Sequence, residues 1–307
     1  TGSFDKKAIE TEVLCMGHRF TYVVSPEEER ENLTVEWFLR RHGYSRHIIT
    51  GLKRTEDGIF ETASALDEPG RARRGCDRNA PCRNRTLRRI LPRPVPFSVV
   101  YEDDDILVVD KPADTPIHPS IGNYENTLAN GIAWYFEQKG EPFVYRCINR
   151  LDRDTTGLIV LAKHALSAAV LSQACAPAKS TARIRPSPRR NRCIRHHRRP
   201  IARLDGSLIQ RTVDFASGER SVTHYRTLAH CSVFSHLELN LETGRTHQIR
   251  VHMAYIGHPL LGDTLYNKTP GTFPRQALHS ASLSFVHPIT GEPLTFHAHC
   301  RKICKTC

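Results

Sequence analysis

Residues 149–163 read NRLDRDTTGLIVLAK and join a charged loop to a short apolar run. The charged residues of this loop are Arg150, Asp152, Arg153 and Asp154. The run Leu158–Leu161 has the length and composition of a buried strand. Carboxylates and guanidinium groups beside a rigid strand are typical of a functional loop, because loops held by a scaffold carry many binding and catalytic residues. From the residues alone, Asp152 and Asp154 are equal candidates for a catalytic carboxylate.

The length of 307 residues predicts one large domain, or one large and one small domain, with a substantial core. No apolar run approaches the length of a membrane span, and the first ten residues lack the charged-then-apolar pattern of a signal peptide. We therefore expect a soluble, cytoplasmic protein.

The net charge of +12 and the ten cysteines would suggest a polyanionic partner and either zinc or disulfides. Seven of these cysteines, however, lie in three stretches, at roughly 61–88, 174–199 and 299–307. The same stretches carry all of the excess positive charge, since the rest of the chain has a net charge of −3. They also lack the apolar periodicity of the other segments. The overall composition is therefore a poor guide to the partners of this protein.

The three stretches become protein-like when their codons are read in another frame. Codons can be chosen for Gly75–Arg88 so that a frame displaced by one nucleotide encodes an alternating strand and an acidic linker, and 191–199 and 299–307 behave similarly. We hypothesise that the three stretches are out-of-frame translation. The central sheet would then lack a strand between residues 174 and 199, leaving the chain unstable or inactive. A DNA sequence without compensating insertions or deletions at these borders would contradict the hypothesis.

Two functional interpretations of these stretches stay open. The C-terminal cysteines, and Cys76 with Cys82, could bind a metal, although neither group has a complete four-ligand spacing. The arginine-rich run 183–199 could be an RNA-binding arm, because such runs bind nucleic acid.

Outside these stretches, the patterns of apolar residues predict strands and helices in an α+β arrangement. Strands are predicted at Ser98–Tyr101, Ile106–Val109, Val222–Leu228, Phe234–Leu241, Leu278–Val286 and Leu294–Phe296. Helices are predicted at Val35–Arg41, after Ser45 as an N-cap, and at Thr127–Gln138, Leu166–Gln173 and Thr246–Tyr255. We expect a small module at 1–90, a large domain at 91–298 and an out-of-frame tail at 299–307. The basic helices of the module are either a solvated face or a phosphate-contacting surface.

Five motifs, in this order, resemble the RluA-type pseudouridine synthases. They are VVYEDDDILVVDKP, RLDRDTTGLIVLAK, VTHY, LETGRTHQIRVHMAYIGHPLLGD and ALHSASLSFVHPITGEPL. The resemblance covers about residues 97–298 apart from the stretch 174–199, and residues 18–60 resemble more weakly the RNA-binding module that often precedes this domain. It implies the pseudouridine synthase fold, with a mainly antiparallel mixed sheet and flanking helices.

The resemblance also implies an activity, which is isomerisation of specific uridines in ribosomal or transfer RNA. Chemistry on a base requires that the base leave the helical stack. Neither a metal nor an organic cofactor is needed, and we expect a monomer without an obligatory protein partner. The alternative is an inactive RNA-binding remnant of the family, or a pseudogene product.

The site residues implied by the resemblance come from its motifs. Asp152 matches the essential aspartate, acting either as a nucleophile at the anomeric carbon or as a base. Arg250 matches its ion-pair partner, and Tyr225 the tyrosine that stacks on uracil and is a candidate for removing the proton from carbon 5. Arg150 matches the arginine that fills the gap left by the flipped base, and Leu278 is expected to form an apolar wall.

Two positions depart from the family pattern, and two histidines need an interpretation. Asn149 stands where the family usually has His, and Thr156 where Ser is commoner. His247 and His252 are five residues apart rather than the four that place two ligands on one helical face. We therefore interpret both histidines as structural, and we assign Arg153 and Asp154 to local structure.

Overall fold

A computed structural model of the chain describes residues 9–15, 18–24, 35–53, 59–62, 90–174, 179–184, 195–232, 234–269, 271 and 273–298. In chain order the strands are β1 (Ile9–Cys15), β2 (His18–Val24), β3 (Ile59–Thr62), β4 (Ser98–Glu102), β5 (Ile106–Lys111), β6 (Thr156–Ala162), β7 (Lys179–Ile184), β8 (Arg195–Arg198), β9 (Ile201–Arg203), β10 (Arg211–Val213), β11 (Val222–His230), β12 (Ser235–Leu241), β13 (Leu278–Val286) and β14 (Pro293–His297). The helices are α1 (Val35–Arg41), α2 (Arg46–Leu52), α3 (Leu128–Lys139), α4 (Ala165–Ala174) and α5 (Gln248–Tyr255).

A nine-stranded mixed sheet forms the centre of the molecule. Its strands lie in the order β4-β5-β6-β13-β7-β12-β11-β8, and β14 pairs with β13. The β6–β13 pair is parallel, whereas the other described pairs of this sheet are antiparallel. The remaining strands form a three-stranded sheet, β2-β1-β3, and the hairpin β9–β10. The predicted α+β class with a mainly antiparallel mixed sheet is confirmed.

The two faces of β5 and β6 are both buried, which explains their unbroken apolar runs. On one face Leu107 and Ile159 pack with Phe136 of α3. On the other face Val108 and Val160 pack with Leu171 of α4. The sequence therefore places the charged loop 149–155 at the entrance to the most deeply buried strand pair.

Most predicted elements are confirmed to within a few residues. Thr127 caps α3 by accepting a hydrogen bond from the Asn130 backbone, and Ser45 caps α2 in the same way through Ile48. Helix α5 begins at Gln248, two residues later than predicted, because the backbone of His247 is left-handed with φ of 58°. The short strands of the hairpin β9–β10 were not predicted from the sequence.

The expected loss of a central strand in 174–199 is wrong. Lys179–Ile184 forms β7, which is hydrogen-bonded to β12 on one side and β13 on the other. The segment KSTARI places Ser180, Ala182 and Ile184 on one buried face, so the alternation of a strand is present despite the basic composition. Residues 195–198 add the edge strand β8. The central sheet is thus continuous, and the predicted instability loses its main reason.

Several other expectations lie wholly or largely outside the described residues. These include the cysteines of the C-terminal stretch 299–307, the pair Cys76 and Cys82, and most of 61–88. Among the described helices, none is long and apolar enough to cross a membrane.

Candidate active site

The loop 149–155 is tied to the strand that follows it by the side chain of Asn149. Its amide nitrogen donates to the carbonyl of Leu158 at 3.1 Å, and its amide oxygen accepts from the backbone nitrogen of Val160 at 2.9 Å. Asparagine offers one donor and one acceptor in this geometry. The departure from the family pattern at this position therefore leaves the loop anchored to β6.

The buried side chain of Lys111 is hydrogen-bonded to the backbone of this loop. The ammonium group of Lys111 donates to the carbonyls of Pro112, Thr115 and Arg153 at 2.8, 2.9 and 2.8 Å. The side chain is fully buried, and this burial lowers the pKa of Lys111 to about 7. Arg153 directly follows Asp152, so Lys111 fixes the backbone next to the candidate catalytic carboxylate.

Arg275 fixes the other side of the loop. One guanidinium nitrogen donates to the carbonyls of Asp154 and Leu278, each at 3.1 Å, and the second donates to the Thr156 hydroxyl at 3.1 Å. These bonds join the loop to β13, which runs parallel to β6 at this point. Loop and sheet therefore hold Asp152 in a defined position.

Arg250 lies between two carboxylates and brings α5 to the loop. It donates to Asp152 Oδ2 at 3.1 Å, and to the two carboxylate oxygens of Asp263 at 2.8 and 2.9 Å. The Asp152 side chain is 21% exposed, whereas that of Asp263 is fully buried. Burial alone would lower the pKa of Arg250, but its bonds to Asp263 and the charge of Asp152 raise it. Asp263 therefore holds the guanidinium, and Arg250 presents it to the accessible carboxylate.

Two adjoining cavities open at Asp152. The inner one, of about 80 Å³, is lined by Leu278, Ser180 and Ile249 among others. The outer one, of about 480 Å³, is lined by His118, Ile209 and Gln276 among others. Arg150, Leu151, Asp152, Thr246, His247 and Arg250 line both. A recess lined by a few apolar side chains and by convergent charged and polar groups, beside a wider opening, is typical of a ligand-binding cleft.

The structure brings four of the five predicted site residues together. Asp152, Arg250, Arg150 and Leu278 all line the inner cavity. Arg150 is exposed and makes no hydrogen bond or ion pair within the described residues. Arg153 instead forms an ion pair with Asp114, in keeping with a local structural role.

Tyr225 is not brought to these cavities. It is not among the described residues that line either one, and its ring stacks on His197 of β8, with 5.3 Å between ring centroids. It lies on β11 opposite Leu239, at the side of the sheet away from β6. The geometry therefore does not support the role that the resemblance assigns to Tyr225.

Sequence reasoning missed three groups beside Asp152. His247 was interpreted as structural, yet its Nε2 lies 3.9 Å from Asp152 Oδ2. Asp263 and Tyr266 also surround Arg250, and the Tyr266 ring lies 5.1 Å from the guanidinium carbon. Both belong to the run GDTLY after α5. An aspartate shortly after a helix that carries an arginine was the available sequence signal. His252, in contrast, bonds to Thr223 and to the Arg199 carbonyl, as a structural residue would.

Comparison with known proteins shows the family of the chain. The sequence model of the RNA pseudouridylate synthase family matches residues 105–255. An uncharacterised RNA pseudouridine synthase of Bacillus subtilis (strain 168) is 40% identical over 218 residues, which cover 68% of this chain and 74% of the relative. The chain belongs to the RNA pseudouridine synthase family. This is an isomerase family that modifies RNA, and the expected membership is confirmed.

Further relatives refine the placement within the family. The ribosomal large subunit pseudouridine synthase D of Zymomonas mobilis is 40% identical over 222 residues, covering 67% of this chain and 70% of the relative. That of Vibrio cholerae is 38% identical over 230 residues, covering 66% and 67%. These relatives place the chain with the RluA-type members and give no support to an inactive remnant.

Solved structures share the fold. Human RNA pseudouridylate synthase domain containing 1 aligns with a TM-score of 0.54 and 24% identity, over 67% of this chain and 84% of that one. Human RNA pseudouridylate synthase domain containing 4 aligns with a TM-score of 0.52 and 21% identity, over 72% and 92%. At these identities the likeness concerns the fold alone.

Proposed function

We propose that this protein isomerises uridine to pseudouridine in RNA of the large ribosomal subunit, with Asp152 as the essential carboxylate. The relatives named ribosomal large subunit pseudouridine synthase D support this substrate class. The observation that carries the proposal is the Asp152–Arg250–Asp263 chain of charges, which leaves one carboxylate accessible at the junction of two cavities. Asp152 has its counter-charge, Arg250, on one side and the cavities on the other, so its carboxylate can reach a bound ribose while staying paired.

The reaction needs no net change of atoms. The bond between the anomeric carbon and N1 of uracil breaks, the base rotates, and a bond forms from the same carbon to C5. The proton leaves C5, and N1 gains a proton. Asp152 acts either as a nucleophile at the anomeric carbon or as a base that starts glycal formation, and both routes place the carboxylate beside the ribose.

The remaining cavity residues have proposed roles in holding the base. Leu278 lies 5% exposed in the wall of the inner cavity, where it offers an apolar contact to a flat uracil ring. Arg150 is exposed at the entrance, so it can enter the space that the flipped base leaves in the RNA. We also propose that the protein acts as a monomer in the cytoplasm, where ribosomal RNA is available.

The decisive measurement is tritium release from RNA that carries [5-³H]uridine. Tritium leaves C5 only when the new carbon–carbon bond forms, so its appearance in water reports turnover. We expect release by the wild type, and a loss of at least about 1,000-fold for Asp152→Asn, because a neutral amide is neither a nucleophile nor a base here. Asp154→Asn is the matched control and should retain most of the activity. Undiminished release by Asp152→Asn would remove Asp152 from this role.

A further inference from the structure

His247 has an unusual backbone for its residue type. Its φ is 58°, and among the described residues only one other non-glycine residue, Asp114, has a positive φ. It occupies the N-cap position of α5 but makes no capping hydrogen bond with its side chain. Left-handed backbone costs free energy for residues other than glycine, and such residues concentrate at functional sites. The imidazole does not bond to the helix end, and its Nε2 lies 3.9 Å from Asp152 Oδ2.

Tyr266 is the hydrogen-bond partner of that imidazole. Its hydroxyl accepts a hydrogen bond from the backbone nitrogen of Arg211 at 2.8 Å and lies 2.8 Å from His247 Nδ1. Within the described part of the chain, Nδ1 is the one acceptor in reach of the hydroxyl proton. If Nδ1 accepts this proton, the imidazole proton must reside on Nε2. Nε2 is the ring atom that faces Asp152 Oδ2, at 3.9 Å.

The surroundings of the imidazole favour its neutral form. Burial lowers the pKa of His247, and the charged groups that act on it are Asp152, Arg250, Arg211 and Asp263. The two carboxylates favour the charged ring and the two guanidinium groups oppose it, so burial decides the direction. Tyr266 itself is held by a hydrogen bond from its backbone nitrogen to Asp263, at 3.1 Å.

We propose that His247 is a positioning residue, which donates a hydrogen bond from Nε2 to Asp152 when RNA is bound, with its tautomer set by Tyr266. This rests on the proposed function, since it assumes the role given to Asp152. The distance of 3.9 Å must shorten by about 1 Å for a hydrogen bond, as catalytic contacts commonly do when substrate binds. Together with Arg250, the imidazole would then hold the carboxylate from two sides.

The first test separates kcat from KM. His247→Asn removes the imidazole but keeps a residue that tolerates both the left-handed backbone and the N-cap position. We expect kcat for tritium release to fall about 10- to 100-fold with KM changed less than about twofold, which corresponds to the loss of one hydrogen bond to a charged group. His252→Asn is the matched control, because His252 lies on the helix that begins after His247 and its imidazole is also hydrogen-bonded, to Thr223. Its kcat should stay within about threefold of the wild type if the chain remains folded.

The second test is spectroscopic and independent of activity. In protein labelled with ¹⁵N in its histidine rings, the nitrogen shifts report which ring atom carries the proton, and His247→Asn identifies the signals of His247. We expect the Nε2-protonated form in the wild type. Tyr266→Phe should produce a mixture of tautomers and a smaller loss of kcat than His247→Asn, since it removes only the hydroxyl.

The outcomes distinguish this proposal from the proposed function. An unchanged kcat in His247→Asn, or an Nδ1-protonated ring in the wild type, would overturn the role of His247 while leaving Asp152 in place. Absence of tritium release by the folded wild type would instead overturn the proposed function, and with it the role of His247 in that reaction. Equal losses of kcat in His247→Asn and His252→Asn would indicate a merely structural role and would also overturn the proposal.

Discussion

Arg250 carries one positive charge between two carboxylates, of which only Asp152 faces a cavity. Asp263 is fully buried. Its carboxylate accepts two hydrogen bonds from Arg250 and hydrogen bonds from the backbone nitrogens of Leu265 and Tyr266. Breaking a buried ion pair leaves the remaining charge poorly compensated, whereas an exposed pair contributes little. Asp263 is therefore expected to contribute more to the free energy of unfolding than the accessible Asp152.

We predict that Asp263→Asn lowers the free energy of unfolding by about 3 kcal/mol, because Arg250 loses its buried counter-charge. Urea denaturation followed by circular dichroism measures this change. The control is Asp114→Asn, since Asp114 pairs with Arg153 at the surface and asparagine tolerates its positive φ. The control should change stability by less than about 1 kcal/mol. Similar losses in both variants would contradict the assignment of Asp263 as the buried anchor.

Lys111 holds the loop 149–155 through the Arg153 carbonyl and makes stability depend on pH. Burial lowers the pKa of Lys111 to about 7 in the folded chain, below its ordinary value of 10.5. Below pH 7 both states bind the proton, and between pH 7 and 10.5 only the unfolded chain binds it. A rise in pH over this range therefore favours the folded state of the wild type relative to Lys111→Met.

We expect the free energy of unfolding of the wild type, minus that of Lys111→Met, to increase between pH 7 and pH 9. The limiting slope is about 1.4 kcal/mol per pH unit. Urea denaturation of both proteins at pH 7, 8 and 9 measures it. For Lys139→Met the same difference should be flat, because hydrogen bonding to Glu102 raises the pKa of Lys139. A flat difference for Lys111 as well would show that its ammonium stays charged across this range.

At the scale of elements, the position of the loop 149–155 depends on the parallel pair β6–β13. Gly157, the second residue of β6, has φ of 115° and lies in register with Ser280 of β13. A Cβ at this position would lie 2.7 Å from the Ser280 backbone nitrogen, which is a steric clash. The two strands can therefore approach only with glycine at this point.

Gly157→Ala is predicted to lower the free energy of unfolding by about 3 kcal/mol or more, since both the backbone conformation and the clash oppose it. Thermal unfolding compares it with Gly140→Ala. Gly140 also has a positive φ, of 70°, but nothing lies near its Cβ position. The control should lose only about 1–2 kcal/mol. If both variants lost the same amount, the close approach of β6 and β13 would be refuted.

Strand β7 forms although one of its buried polar groups lacks a hydrogen-bond partner in the described structure. Its alternation of small and apolar residues satisfies the core face, yet the Thr181 hydroxyl on the other face is buried without a hydrogen-bond partner in the described structure. An unsatisfied buried hydroxyl destabilises a fold by about 1–3 kcal/mol. The out-of-frame hypothesis for 174–199 remains a prediction. It would explain why β7 carries a buried threonine hydroxyl without a hydrogen-bond partner in the described structure.

At the scale of the whole molecule, the N-terminal helices share a core with the large domain. Leu39 and Ile49 of α1 and α2 pack with Leu166 of α4, and Val170 and Ile289 cover the same cluster. A module at 1–90 that was independent would not bury its apolar residues against the domain that follows. The shared core predicts one cooperative unfolding transition for the helices and the central sheet.

The two tryptophans of the chain report on the two parts separately, since Trp37 lies on α1 and Trp134 on α3. We expect urea transitions of Trp37→Phe and Trp134→Phe, each followed by fluorescence of the remaining tryptophan, to coincide. Leu39→Ala should shift both by the same amount, equivalent to about 2–5 kcal/mol. Trp134→Phe reports from the N-terminal helix, so a separate transition in that variant alone would establish an independent module.

The sequence by itself determined seven strands of the central sheet, the α+β class, the family and four residues that meet at one site, because each depends on local periodicity or on a short motif. Tertiary structure alone decided the rest. The segment after α5 brought Asp263 and Tyr266 to Arg250. His247 lies beside Asp152 at a residue with left-handed backbone, which no periodic pattern signals. Tyr225 was placed away from the cavities, and a basic segment became a central strand. These outcomes depend on which surfaces meet across distant parts of the chain, and local sequence does not encode that directly.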